Sequence, residues 1–143
     1  MNSTKGRSIA SVIGLSVMVL LALGSGKSSN EAASRKVQAE TPAANVSAAQ
    51  LFADYKANEI AADEKYKGKT LAVSGTVENI GKDITDDMYI TLKTSDFIMS
   101  VQAYFPDELK SRLASMQKGA AVTVKCRCDG KFGNVLLKGC SFL

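Results

Sequence analysis

Three cysteines are the residues of this 143-residue chain best suited to covalent or metal chemistry. Cys126 and Cys128 form a Cys-x-Cys pair, and Cys140 follows near the end of the sequence. The chain contains no His, so these thiols lack the partner that would complete a four-ligand Cys/His zinc site. The lack of His also excludes most hydrolase triads and the commonest general base. With no phosphate-binding Gly loop either, we expect a binding protein rather than an enzyme, without a metal or cofactor.

A disulfide between Cys128 and Cys140 is one alternative for these thiols. If the last two strands form a hairpin around "DGKFGN", Cys128 lies opposite about Val135, five residues from Cys140. Five residues of strand span about 17 Å, too far for a disulfide, so this pairing requires a bulge or another register. The other alternative, favoured for Cys126 and Cys128, is that the thiols are buried and pack as small core residues.

Two segments alternate between apolar and polar residues, which predicts two strands with one face outward. In "MYITLKT" the inward positions are Met88, Ile90 and Leu92. In "FIMSVQAYF" the inward positions are Phe97, Met99, Val101, Ala103 and Phe105. The outward positions supply the candidate ligand-binding residues, which are Tyr89, Thr91, Lys93, Ser100, Gln102 and Tyr104.

These outward residues suit a single-stranded nucleic acid, because tyrosine rings stack on bases and a lysine meets the phosphate backbone. Three residues of the adjoining loops, Lys82, Lys131 and Phe132, are expected to flank the same face. The alternative is structural, since Tyr and Thr also suit exposed strand positions.

The elements that must position this face follow a recognisable order. "SAAQ", with Gln50 three residues after Ser47, predicts a helix from Ser47 to about Tyr66 that ends before Gly68. Asn58, near its apolar stripe, is expected to make local or capping hydrogen bonds. Three strands follow, then a short helix capped by Asp107, then two more strands.

A helix between the third and fourth of five strands is the layout of an OB-fold barrel. Gly75 interrupts the apolar face of the first strand, as expected where a strand curls around a small barrel. The predicted fold is therefore mainly β: a five-stranded OB-fold barrel with an N-terminal helix and a helix between strands three and four.

The first 24 residues have the pattern of an export signal. Lys5 and Arg7 precede an apolar run of about 15 residues, shorter than the roughly 20 that a membrane span needs. Cleavage is expected between Gly24 and Ser25. Ser25 stands where a bacterial lipoprotein has its acylated Cys, so lipid attachment there is not expected. The alternative is an uncleaved segment that anchors the chain in a membrane.

Domain organisation and charge follow from this division. We expect a signal peptide over residues 1–24, a flexible polar linker over residues 25–45 and one domain over residues 46–143. The whole chain has a net charge of +4, but from Val46 onward 13 Lys and Arg face 12 Asp and Glu. Bulk charge therefore gives little support to nucleic-acid binding.

The folded region resembles the tRNA_anti-like family, most specifically over the run N-E-x-x-A-x-x-x-Y-K-G-K from Asn58 to Lys69. The resemblance covers residues 46–143. It implies an OB-fold domain of the kind found in exported or lipoprotein-type bacterial proteins, with a nucleic-acid-binding role and no catalytic residues.

We therefore expect an exported, non-enzymatic OB-fold module of the periplasm or cell envelope that binds oligonucleotides. The alternative is an envelope module that binds a glycan, a peptide or a protein partner.

Overall fold

The computed structural model describes residues 29–143, so the predicted signal peptide lies outside the described residues. Four helices and six strands occur there in chain order. They are α1 (Ser29–Ala39), β1 (Ala44–Ser47), α2 (Ala48–Ala57), α3 (Glu59–Tyr66), β2 (Thr70–Lys82), β3 (Met88–Leu92), β4 (Val101–Tyr104), α4 (Lys110–Ala114), β5 (Ala121–Phe132) and β6 (Asn134–Phe142). None of these helices is long and apolar enough to span a membrane.

Five strands close into a barrel. β2 pairs with β3, β3 with β4, β4 in parallel with β6, β6 with β5, and β5 again with β2. β1 adds a sixth strand, parallel to β2. A 3-10 turn (Asp107–Leu109) and α4 lie between the third and fourth barrel strands. The predicted OB-fold barrel is confirmed.

The core fills the barrel with the inward residues of the alternating strands. Leu71, Val73 and Val77 of β2 are fully buried, as predicted. Gly75 interrupts this row because α2 crosses the strand there. A Cβ at Gly75 would lie 3.1 Å from the Ala48 Cβ and 3.3 Å from the Leu92 Cβ.

The predicted helix from Ser47 to Tyr66 is two helices, which meet at Asn58. Asn58 has extended backbone (φ −159°), and its Oδ1 accepts a hydrogen bond from the Ala61 N–H at 3.1 Å. The expected capping role of Asn58 is thus confirmed, but the cap lies at the break between α2 and α3 and not within one continuous helix. Ser47 caps α2 as predicted, since its Oγ accepts from the Gln50 N–H at 3.1 Å.

Residues 29–45, in the segment predicted to be a flexible linker, contain α1 and the first residues of β1. α1 packs on β6 through Val37, which is fully buried, and over Gly139. Gly139 has φ +63°, and a Cβ there would lie 2.7 Å from the Ala33 carbonyl carbon. The chain then joins the sheet, where the Ala43 N–H donates to the Thr70 carbonyl at 2.8 Å.

The disulfide joins Cys126 and Cys140, whereas Cys128 is a free, buried thiol. The predicted Cys128–Cys140 pair is therefore wrong. Its premise was a six-residue turn, but β5 continues to Phe132 and the chain reverses at Gly133. Cys128 consequently pairs with Leu137. A bulge between Lys125 and Arg127 brings Cys126 opposite Cys140, with their Cα atoms 4.3 Å apart.

The prediction that Phe97 and Met99 face inward is also wrong. β4 begins only at Val101, and Phe97 is fully exposed. The preceding loop is set by Asp96, whose Oδ1 accepts hydrogen bonds from the Ile98 and Met99 N–H groups at 2.8 and 2.9 Å. This side chain-to-backbone turn ends the alternation. The other three inward positions, Val101, Ala103 and Phe105, are buried as predicted.

Candidate functional site

The outward side chains of β3, β4 and β6 form one surface, which we call the open face. Its residues are Tyr89, Thr91, Lys93, Ser100, Gln102, Tyr104, Asn134, Leu136 and Lys138. The strand register places Tyr89 beside Tyr104, Thr91 beside Gln102, and Gln102 beside Leu136. The register thus brings Tyr89, Thr91, Gln102 and Tyr104 to one surface. Lys93 and Ser100 lie just beyond the ends of β3 and β4. Thr91, Ser100 and Tyr104 are largely covered by their neighbours.

The two tyrosines differ in accessibility. Their ring centroids are 5.9 Å apart with an interplanar angle of 62°, an edge-to-face contact. Tyr104 is only 9% exposed, and the Lys138 Nζ lies 4.5 Å from its ring centroid. Tyr89 is more open to solvent. Tyr89 is therefore the more accessible of the two rings.

Burial and the Asp83 carboxylate raise the pKa of Tyr104 above its ordinary value, so its hydroxyl stays protonated at neutral pH. The Gln102 Nε2 donates to this hydroxyl at 2.9 Å. Asn134 in turn donates its Nδ2 to the Gln102 Oε1 at 2.8 Å and accepts from the Ser100 N–H at 2.9 Å. These contacts fix the centre of the open face.

Thr91 holds the strands together. Its Oγ1 accepts from the Asn79 N–H at 3.1 Å, where the β2–β3 register shifts, and lies 3.4 Å from the Glu78 carboxylate. Because the Thr91 hydroxyl is buried and engaged, it is not available to a ligand.

Lys93 is exposed at one end of the open face, and its ammonium has no ion-pair partner among the described residues. At the other end Lys82 pairs with Asp86 at 2.8 Å, in a loop that also contains Asp83 and Asp87. Hydrogen bonds from Thr85 lower the pKa of Asp83. That end is therefore acidic and disfavours a phosphate.

The structure does not bring Lys131 to the open face. Its ammonium lies 3.6 Å from the Glu59 carboxylate, on the α3 side of the barrel. Phe132 is 87% exposed at the tip of the β5–β6 hairpin, next to the Ser100 end of the face. Of the three predicted flanking residues, Phe132 lies beside the open face, whereas Lys82 is opposite the inward-facing Met88, on the other side of the strand from Tyr89.

Sequence reasoning missed Lys138 and Asn134, which lie between the tyrosines and the hairpin. The alternation Asn134, Leu136, Lys138 against buried Val135 and Leu137 was available in the sequence. What the sequence did not show is that β6 pairs in parallel with β4, which places this row beside Gln102.

Other chemistry has little support in the described part of the chain. Residues 29–143 contain no cluster of three or more His, Cys, Asp or Glu able to hold a metal ion. The free Cys128 thiol is buried, and burial raises its pKa, which makes it a poor nucleophile.

Comparison with a solved structure supports the fold. A crystal structure from Klebsiella pneumoniae subsp. pneumoniae MGH 78578, named "putative nucleic acid-binding lipoprotein", is 18% identical with a TM-score of 0.57. The match covers 69% of this chain and 90% of that one. The engineered binder OBody AM3L09, bound to hen egg-white lysozyme, is 18% identical with a TM-score of 0.42, over 55% of this chain and 85% of that one. No curated protein matches the chain.

The family model named tRNA_anti-like matches residues 1–141, nearly the whole sequence. This match reaches further towards the N-terminus than the region 46–143 in which the resemblance was found. The barrel and this match together show that the chain belongs to the tRNA_anti-like family.

Proposed function

We propose that this protein binds single-stranded nucleic acid on the open face, with Tyr89 as the stacking residue. The observation that carries the proposal is the aromatic pair at the end of that face next to the β2–β3 loop: Tyr89 and Tyr104 are in edge-to-face contact, and Tyr89 stays partly exposed. A tyrosine ring stacks on any base, so such a surface binds without reading sequence.

Two cations lie where a phosphate backbone would pass. Lys138 is on the β6 side of the tyrosines, and Lys93 is at the far end of β3. Family membership supports the same ligand class. The acidic loop around Asp83 and the near-neutral charge of the domain limit the affinity for nucleic acid, because such binding draws much of its free energy from neutralisation of phosphates by basic side chains. The interaction is therefore expected to be weak at physiological salt.

The test is a fluorescence-anisotropy titration of labelled single-stranded DNA and RNA with the full chain at low salt. Tyr89→Ala is expected to cost about 1–3 kcal/mol of binding free energy, a roughly 5- to 150-fold loss of affinity. Tyr89→Phe keeps the ring and should retain binding. Tyr89→Phe should match the parent in thermal unfolding, whereas Tyr89→Ala also loses the ring contact with Tyr104 and should melt somewhat lower, while staying fully folded at the titration temperature.

Charge is tested separately. Lys93→Ala should reduce the slope of affinity against salt by roughly one phosphate contact. Lys67→Ala is the control, since Lys67 is exposed on the α3 side, where it pairs with Asp63 at 3.8 Å. A parent chain without affinity for single strands at low salt would overturn the proposal, and a glycan, peptide or protein ligand would replace it. Binding that survives Tyr89→Ala would mean that the open face is the wrong site.

We also propose that the protein is exported to the periplasm or cell envelope. Lys5 and Arg7 ahead of the apolar run, with Gly24 before Ser25, support cleavage at that point. N-terminal sequencing of the protein from its native host tests this. A chain that still begins at Met1 in the cytosol would contradict it, whereas an uncleaved chain in the membrane fraction would identify the segment as an anchor.

A further inference from the structure

Three large apolar side chains project into solvent at the tips of two adjacent loops. Phe97 and Ile98, in the β3–β4 loop, are 103% and 89% exposed, and Phe132, at the β5–β6 hairpin tip, is 87% exposed. We call these three residues the apolar tips. Exposed apolar residues are common singly, but a group of three, two of them phenylalanines, on one end of a small domain is not explained by the fold.

The two loops are joined at their bases. The Ser100 N–H donates to the Asn134 Oδ1 at 2.9 Å, and the Val135 N–H donates to the Ser100 carbonyl at 3.1 Å. The apolar tips therefore project from the same end of the barrel. Ile84, which is also fully exposed, lies in the β2–β3 loop at the opposite end of β3.

The exposure of Phe97 and Ile98 is imposed by the loop's own hydrogen bonds. Asp96 accepts from the N–H groups of residues 98 and 99, while the Thr94 Oγ1 donates to the Met99 carbonyl at 2.8 Å. The Lys56 ammonium holds Asp96 from α2 at 3.4 Å. A loop built in this way presents its apolar residues at no further ordering cost, which favours binding.

The charges around the apolar tips largely cancel. Two carboxylates near the tips are each paired with a lysine, Asp96 with Lys56 and Glu59 with Lys131. Asp129 lies three residues before Phe132 along β5. The loop around Ile84, in contrast, contains three aspartates. The end with the apolar tips is therefore less negative than the Ile84 end.

We propose that the apolar tips insert into the surface of a lipid bilayer, so that the barrel docks on the membrane by this end. The tips project from separate loops, a shape that a fluid acyl layer accommodates without a complementary pocket. Phenylalanine and isoleucine gain from transfer into the headgroup–acyl boundary, and the paired carboxylates beside them add little repulsion from lipid phosphates. This proposal does not depend on the nucleic-acid ligand of the open face.

The absence of tryptophan from the sequence provides a direct test. Phe97→Trp, Phe132→Trp and Ile84→Trp each give the full chain one fluorescent reporter. Each chain is mixed with vesicles of phosphatidylglycerol and phosphatidylcholine whose acyl chains carry bromine, a contact quencher of tryptophan. Because the N-terminal apolar run is present in all three chains, any attachment through it is common to them, and Ile84→Trp is the matched control.

Docking predicts a blue-shifted, quenched emission for Phe97→Trp and Phe132→Trp, and an unshifted, unquenched emission for Ile84→Trp. Adding Ile98→Ser to the Phe97→Trp chain should lower the ratio of docked to undocked protein roughly tenfold, the value of one large apolar side chain transferred from water.

Equal quenching of all three reporters, or quenching of none, would overturn the proposal. Quenching of Phe97→Trp and Phe132→Trp by single-stranded DNA without quenching by lipid would overturn it too, and would assign the apolar tips to base stacking. Thermal unfolding confirms that each variant is folded, which is expected because all the substituted side chains are exposed.

Discussion

Reduction of the Cys126–Cys140 disulfide is expected to lower the free energy of unfolding by about 3 kcal/mol. The two cysteines are 14 residues apart in sequence, and a cross-link that closes a loop of about 15 residues removes unfolded-chain entropy worth about 3 kcal/mol at 25 °C. The β5–β6 ladder aligns the two residues whether or not the bond is present, so the effect lies mainly in the unfolded chain. For a domain of this size the melting temperature should fall by about 10 °C.

Guanidinium unfolding with and without a reductant measures this difference. Cys126→Ala, which also loses a buried sulfur atom, should be at least as unstable as the reduced parent and insensitive to the reductant. Cys128→Ala is the control: it loses a buried thiol that lies 3.5 Å from the Tyr55 hydroxyl, which lowers stability, but its response to the reductant should equal that of the parent. If Cys128→Ala abolishes the response, or if the parent shows none, the assigned pairing is wrong.

Three further predictions concern the fold. Gly139→Ala should release α1, because the new Cβ meets the Ala33 backbone and φ is +63°; amide exchange in α1 should rise while the barrel stays protected. Asn58→Ala should cost about 1 kcal/mol in denaturant unfolding through loss of the α3 cap, and Asn58→Asp should restore it. Hydrogen bonds from the loop backbone lower the pKa of the Asp96 carboxyl. The stabilisation of the loop by ionised Asp96 is therefore present above the unfolded pKa and lost as the pH falls through the folded value. Amide exchange in residues 94–99 should accelerate only below about pH 4, and a loop that loosens near neutral pH would contradict this.

The barrel could be predicted from the sequence because period-two alternation and helix signals are local properties. Ser47, Gly75 and the buried row of β2 were placed correctly, since a cap and a close approach each require particular residue types. The tertiary context was not predictable in the same way. Nothing local to residues 29–45 shows that Gly139, about a hundred residues later, opens a groove for α1.

Two predictions failed at side chain-to-backbone turns and bulges. Asp96 ends the alternation that seemed to continue through Phe97, because its carboxylate satisfies the loop N–H groups in place of a neighbouring strand. The β5–β6 bulges change which cysteines are opposite each other by altering the residue count between them. Within the candidate site, the outward row of β3 and β4 was predictable, whereas Lys138 joined it only through the parallel β4–β6 pairing.

The most direct test of the proposed function is a map of backbone amide chemical shifts during titration of the isotope-labelled chain with single-stranded oligonucleotide at low salt. The account predicts shift changes that centre on Tyr89, Gln102 and Lys138, grow with added ligand and vanish as salt is raised. The β5 side that packs against α3, around Gly130, should not respond. An unchanged spectrum, or changes confined to residues outside the open face, would contradict it.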